Sequence, residues 1–438
     1  MIPHDSLVEA LSRFLPEQRW FGAKDQTVTE VLVEKTEVLF GEFPVLIRVE
    51  AEVVLQDNSA DRYHVLIGLR QPGDPAIFLE GKAEAVLGEF ATDLGPAYGY
   101  DALRDPELAL KLFELIAPDL GQPERVRAVA AEQTNSSMIY DDKYILKVFR
   151  RLADPNIDIE VTGALWSIGF HHVAQPLASW NSGESDLAML QPFLAGGTEG
   201  WALALTSLRD HYDTAGDPAE AGGDFAAEAE RLGEVTAEMH LALASALGTS
   251  KGDVHSWVRL MHEQLDRMNH PEVDFERARK VFDLAAEVET SGPALRIHGD
   301  YHLGQVMRTD KGWYVLDFEG EPARTIEERR MPSSPLRDVA GMLRSFQYAA
   351  MAAMQVSQDQ PIELAESWES RNRQAFLDGY VAIAHPGQIL PADLPSLDLL
   401  VKAFELDKAI YELGYEMAHR PAWTAIPLAA IERILSQA

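Results

Sequence analysis

Apolar positions recur at helical spacing from Ser6 to Leu15, with Leu7, Val8, Leu11 and Leu15 on one face and Pro16 as the expected end of the helix. The pattern then switches to alternation. VTEVLVEK (28–35), PVLIRVEAEVVLQ (44–56) and DRYHVLIGLR (61–70) predict strands separated by Gly, Pro, Asn and Asp. Residues 1–88 are therefore expected to form a cap subdomain, helix first and strands after. A second amphipathic helix is expected between Asp105 and Leu120. The run VRAVAAEQTNSSMIYDDKYILKVFRRL (126–152) then predicts strand, turn, strand, turn, strand, and HVAQPLASW (172–180) and DLAMLQPFL (186–194) predict two more strands. Beyond Trp201 the period is 3.6, over 224–246, 252–269 and 274–290. These shifts divide the chain into a cap (1–88), an intermediate subdomain with a small sheet and a hinge (89–195), and a helical C-terminal part (196–438). The fold class is α+β, and no internal repeat is visible.

Composition narrows the partners. The 438 residues exceed what one small core organises, and 46% are hydrophobic, enough for a sizeable interior. A formal charge of −32 argues against nucleic acid and against an anionic membrane surface. With no cysteine in the sequence, disulfides, thiol nucleophiles and cysteine zinc sites are excluded. Nowhere do the roughly 18 consecutive apolar residues of a membrane span occur, and the N-terminus carries acids where a signal peptide has a basic start and an apolar core. A cytoplasmic protein is expected.

The chemistry concentrates at 297–322, IHGDYHLGQVMRTDKGWYVLDFEGEP, where two aspartates lie on short turns around a compact hairpin. Trp313 to Phe318 is β-prone, which places Asp317 at the end of a strand and Asp300 facing the same cleft. Phosphoryl transfer uses such a pair, one carboxylate taking the acceptor's proton and the other anchoring Mg²⁺. Gln305 offers a further hard oxygen ligand. Ordinary turn aspartates are the default for either residue alone. Two in register, with histidines and an amide between, shift the balance to a site. His298 and His302 are four apart, but Gly299 argues against the helix a zinc pair requires.

Elsewhere the polar stretch Gln133, Thr134, Asn135, Ser136 and Ser137 lies where a phosphate-covering loop is expected, although it lacks glycine and a plain hairpin turn is the alternative. Lys147, flanked by large apolar residues, is the candidate for the α and β phosphates, with Glu160 as a partner from the next helix. Glutamate near a helix N-terminus is also simply favourable there. Gln191 precedes a hinge at AGGTEG. In RWFGAK (19–24), Arg19 and Lys24 offer an anion site, whereas Trp20 and Phe21 buried under a turn is the structural alternative.

The spacing H-G-D-x-x-x-x-Q followed by D-F-E resembles the catalytic and metal loops of aminoglycoside phosphotransferase-like kinases, with Gln305 where Asn is commoner. Together with RWFGAK, DFEGEP, SPLRDVAGMLRSFQYAA and the ending FELDKAIYELGYEMAHRPAWTAIPLAAI, the chain resembles the bacterial maltokinases from near its N-terminus to its last helix. That resemblance implies a two-lobed protein-kinase-like fold with an N-terminal cap, ATP and Mg²⁺ as cofactors, and conversion of maltose to maltose 1-phosphate for α-glucan synthesis. Trehalose synthase is the implied source of maltose and a possible physical partner. Carried over by position, Asp300 becomes the base, Gln305 and Asp317 the Mg²⁺ ligands, and Glu319 a supporting carboxylate. Arg337 and Asp338 are placed to lock the catalytic loop through a salt bridge, with Arg344 on the following helix a weaker candidate, although such pairs are commonly structural. His298, Tyr301, Asp407, Tyr411, Arg420 and Trp423 are the sugar candidates, with Glu412 and Tyr415 beside them. Aromatic residues at this spacing are as often core, and the carboxylates suit an amino sugar equally well. Glucosamine or an aminoglycoside is therefore the alternative acceptor, and a non-catalytic subunit of a trehalose or glucan enzyme the alternative class.

Overall fold

The computed structural model describes residues 2–24, 26–129, 134–214, 216–220, 223–322, 324–356 and 361–436. The chain divides into two compact units, Met1–Gly163 with Ala174–Ala195, and Ala164–Val173 with Gly196–Ala438.

In the first unit, helix α1 (His4–Glu17) lays Leu7, Ala10, Leu11, Phe14 and Leu15 on a five-stranded antiparallel sheet. Pro16 lies inside the last turn instead of ending it. Pro16 denies the Ser12 carbonyl its helical N–H donor, and the Gln18 N–H closes on the Leu15 carbonyl. The sheet has the order β1 (Val28–Phe40), β2 (Val45–Leu55), β3 (Ala60–Arg70), β5 (Gly95–Asp101), β4 (Val86–Thr92). It therefore continues to Asp101, past the expected boundary at residue 88. Gly88, Gly95, Pro96 and Gly99 dilute the alternation that would have announced β4 and β5.

Alternation along β2 and β3 gives this sheet two buried faces. Val45, Ile47, Val49, Tyr63, Val65 and Ile67 pack toward α1. Leu46 and Leu66 on the other face join a second core with helix α2 (Pro106–Ile116) and with Met138, Leu146, Val148 and Leu190 of a second sheet. That sheet has the order β6 (Val126–Ala128), β7 (Asn135–Tyr140), β8 (Tyr144–Phe149), β10 (Ser185–Pro192), β9 (Ala178–Ser182), with helix α3 (Ile157–Ser167) following β8. Of HVAQPLASW only the end is strand, because Pro176 has no N–H to give a ladder.

The second unit is mainly helical, as the 3.6 period predicts. It opens with β11 (Thr198–Glu199), α4 (Gly200–Thr214), α5 (Ala226–Leu247), β12 (Thr249–Ser250), α6 (Val254–Arg267), α7 (Phe275–Ala286) and β13 (Ala294–Leu295). The hairpin β14 (Val306–Thr309) and β15 (Gly312–Val315) follows, then α8 (Ile326–Arg330), α9 (Leu336–Val356), α10 (Ile362–Ala384), α11 (Leu394–His419) and α12 (Ala425–Ser436). Among the described residues no helix is long and apolar enough to cross a membrane.

Candidate active site

The hairpin β14–β15 explains the spacing between Gln305 and Asp317. Val306 pairs with Val315 and Thr309 with Gly312, and the Leu316 N–H closes on the Gln305 carbonyl at 2.9 Å. Residues 305 and 317 thus meet at the open end, where Gln305 Nε2 donates to Asp317 Oδ2 at 3.3 Å. The strand ends at Val315, two residues before Asp317, which adopts a left-handed conformation with φ of 61°. A non-glycine residue held there carries local strain, of a kind found at functional sites. Asp317 and Glu319 present carboxylate oxygens within 4.8 Å of one another. Two carboxylates and an amide oxygen, available on rotating the Gln305 amide, form a donor set that fits a hard divalent cation such as Mg²⁺.

The turn bearing Asp300 is fixed from beneath. Gly299 has φ of +84°, and a Cβ there would lie 3.5 Å from the Gly320 Cα, so the two aspartate turns approach closely. Asp338, fully buried on α9, accepts from the N–H groups of His298 (2.7 Å) and Gly299 (2.9 Å). His240 of α5 stands 3.1 Å from Asp338 through Nε2 and 2.8 Å from the Tyr380 hydroxyl through Nδ1. Burial opposes ionisation of Asp338, but its bonds and the neighbouring histidine outweigh this and lower its pKa. The loop lock is thus made by carboxylate oxygens on backbone N–H groups, in place of the expected salt bridge. Arg337 instead reaches Glu321 (3.1 Å), and Arg344, on the same helix, holds Glu412 (2.8 Å).

Two expected sugar residues turn inward. His298 is buried, with Nε2 donating to the Leu316 carbonyl and Nδ1 accepting from the Asp300 N–H. Tyr301 is buried as well, its hydroxyl 2.8 Å from that of Thr236. Both shape the loop from inside, the His298 ring packing between Tyr301 and Phe318. His302, two residues beyond Asp300, places Nε2 3.9 Å from Asp300 Oδ2 and caps the Gly304 N–H with Nδ1.

Helix α11 supplies a polar face that the sequence reading covered only in part. Lys408 pairs with Glu321, which is also held by Arg324 (2.8 Å) and Arg337. Burial disfavours the charged form of Lys408, yet the Glu321, Asp300 and Glu412 carboxylates overcome it and raise its pKa, which places its ammonium in the field of Asp300. Burial likewise opposes ionisation of Glu321, but Lys408, Arg337 and Arg324 bring its carboxyl down to about 2. Tyr411, one turn on, has Lys408 4.9 Å from its ring centroid and also feels Asp300. Asp407 accepts from Gln264 Nε2 at 2.7 Å, and burial pushes its carboxyl up to about 6. Arg420 bonds Glu416 (2.6 Å) and lies 5.0 Å from the Trp423 ring, which stacks on Tyr348. That group is half-exposed and linked to Asp300 by no contact among the described residues. Lys408 and Glu321 were missed as chemistry, although both stand in quoted motifs. The signal was the i, i+3, i+4 spacing of Lys408, Tyr411 and Glu412 on one helix face.

In the first unit, Lys147 donates to Asp158 Oδ2 at 2.8 Å. Asp158 is the second residue of α3, and Glu160, the partner expected from the sequence, lies half-buried two residues on. Asn135, Ser136 and Ser137 are not a turn but the first residues of β7, since their backbones pair with Phe149, Val148 and Lys147. Ser136 Oγ accepts from Arg150, Thr134 is exposed, and Gln133 lies outside the described residues. Gln191 sits on β10 with its amide on the Ala174 carbonyl (3.0 Å), four residues before the chain passes into the second unit.

Comparison with known proteins matches residues 14–105 to the maltokinase N-terminal cap domain and residues 125–360 to the phosphotransferase enzyme family. A glucosamine kinase of Streptacidiphilus jiangxiensis is 27% identical over 360 residues, 77% of this chain and 78% of that protein. Another, from Mycolicibacterium smegmatis, is 29% identical over 332 residues, 71% of this chain and 80% of that protein. Among solved structures, a glucosamine kinase superposes with a TM-score of 0.67 at 21% identity, covering 98% of this chain and 99% of the other, which shows a shared fold. With the second family model matching more than half of its residues, the chain belongs to the phosphotransferase enzyme family, with a maltokinase-type cap at its N-terminus.

Proposed function

We propose that this chain transfers the γ-phosphoryl group of ATP to the anomeric hydroxyl of maltose, giving maltose 1-phosphate and ADP. The observation that carries the reading is the joint placement of Asp300, on a turn held by Asp338, and the Gln305–Asp317 pair at the mouth of one hairpin. Asp300 accepts the hydroxyl proton as the sugar oxygen bonds to the γ-phosphorus, and the electrons of the breaking P–O bond leave with ADP. Gln305, Asp317 and Glu319 would hold Mg²⁺, which supplies charge neutralisation at the phosphates. Lys147, steadied by Asp158 and with Glu160 nearby, meets the α and β phosphates. Thr134, Asn135 and Ser137 border the nucleotide, and Gln191 marks the adenine side. The cap, the second sheet and the helical lobe then serve respectively as support, nucleotide platform and acceptor platform.

Maltose is favoured over a cationic acceptor by charge. Glu321 is already matched by Lys408, Arg324 and Arg337, and Glu412 by Arg344, so an added ammonium beside Asp300 would meet cations. The maltokinase-type cap points the same way. A glucosamine reading has its own support in the named relatives and in Asp407, which faces no cation at ion-pair distance among the described residues. A trehalose synthase as maltose source and partner, and a cytoplasmic location, belong to the maltose reading. The test is ADP release with Mg²⁺-ATP against maltose, glucose, trehalose and glucosamine, with the phosphorylated position read by NMR. Maltose-dependent release with phosphate on O1 supports the proposal. Release with glucosamine alone would transfer it to the second reading, and no release with any sugar would sink both.

A further inference from the structure

We infer that Arg150 is a positioning residue that couples the N-terminal cap to the strand bearing Lys147, so that the cap sets the affinity for nucleotide. This rests on the reading of Lys147 as the phosphate-binding lysine. Alternation along β8 puts Leu146 and Val148 in the core shared with the cap sheet, and Arg150 continues that face while Lys147 points the other way. The Arg150 side chain is fully buried. Its Nη2 donates to Asp101 Oδ2 at 2.6 Å, on the last residue of the cap sheet, and its Nε donates to Ser136 Oγ at 2.8 Å, on the strand paired with β8. The guanidinium carbon lies 4.8 Å from the ring centroid of Trp20, which gives the RWFGAK motif a role.

The backbone makes the same connection. The His64 N–H donates to the Arg150 carbonyl (2.7 Å), the Leu152 N–H to the Arg62 carbonyl (2.8 Å), and His64 Nδ1 reaches the Phe149 carbonyl (3.2 Å). Strand β3 of the cap therefore grips the chain two to five residues after Lys147. Nη1 of this buried guanidinium has no hydrogen-bond partner among the described residues, and losing either acceptor leaves a further donor unsatisfied. The cap, β7 and β8 consequently move as one body, and a shift of the cap displaces the Lys147 ammonium.

The experiment uses the full chain with Asp101→Asn, Ser136→Ala, the double variant and Arg150→Lys, the last keeping the charge so that the fold is retained. Mg²⁺-ATP affinity is measured directly by calorimetry, with melting temperature and the acceptor KM alongside. Each single change is expected to weaken ATP binding about three- to tenfold while moving the acceptor KM less than about twofold. The double variant should be little worse than the weaker single, because both act through Arg150. Melting temperatures that fall while ATP affinity stays unchanged would reduce Arg150 to a stabilising residue and overturn the inference. Additive losses would mean that Ser136 meets nucleotide on its own account, which overturns it too. Wild-type chain that binds no ATP would instead remove the kinase reading beneath it.

Discussion

Asp300 and Asp317 are the same residue type on neighbouring turns, in different surroundings, and the proposed function gives them different tasks. Asp300 stands beside His302 and in the field of Lys408, whereas Asp317 stands beside an amide and a second carboxylate. Asp300→Asn should lower kcat about 10²- to 10⁴-fold with ATP affinity retained, while Asp317→Ala should weaken Mg²⁺-dependent ATP binding as well; steady-state kinetics with direct binding separates the two. Near-normal turnover in both would end the assignment. Asp407 gives a pH signature. Burial raises its carboxyl to about 6, so between its unfolded value near 3.9 and about 6 the folded chain holds more protons, and stability falls as pH rises through that window. Relative to wild type, Asp407→Asn should gain roughly 2–3 kcal/mol between pH 4 and pH 7, read from denaturant melts. A difference independent of pH would show that Asp407 titrates normally.

At the scale of elements, α9 matters because it is pressed against the turn bearing Asp300. A Cβ at Gly341 would lie 2.6 Å from the Tyr301 carbonyl, backbone against side chain, one residue from Asp300. Gly341→Ala should therefore push the turn and cut kcat by about tenfold or more, since small displacements of reacting groups are costly, with ATP affinity nearly unchanged. Unaltered kcat would show that the turn relaxes freely. The helices of the second unit and the three long strands of the cap were legible because each keeps one period over many residues. Strands β4 and β5 were not, and neither was the start of β7, where Asn135, Ser136 and Ser137 carry turn-like side chains. Their strand character comes from pairing with β8, a non-local term that outweighs local preference.

Over the whole molecule, buried ion groups tie distant segments together. Glu321, from the loop after β15, collects Lys408 from α11 and Arg337 from α9. With its carboxyl brought from an unfolded value near 4.3 to about 2, the group contributes stability that is complete above pH 4.3 and lost as pH falls toward 2. Wild type and Glu321→Gln should thus differ by roughly 3 kcal/mol at pH 5 and converge only as the pH falls through about 2. Melting temperatures across that range decide the matter, and parallel curves would refute the assignment. The net charge of −32 adds general repulsion at neutral pH, but it does not choose the fold.

The sequence by itself determined the helical and alternating segments, the exclusion of cysteine chemistry, and the aspartates at 300 and 317 with Gln305 between them. These are properties of local period and spacing, which a chain carries before it folds. Tertiary structure alone decided that Asp158 sits beside Lys147, that Asp338 holds the turn bearing Asp300 through backbone N–H groups, that His298 and Tyr301 face inward, and that Arg150 ties the cap to β8. Each of those joins residues far apart in the sequence or chooses between two faces of one element. Such choices are made by burial and by the need to pair every buried polar group, and neither exists until the elements have met.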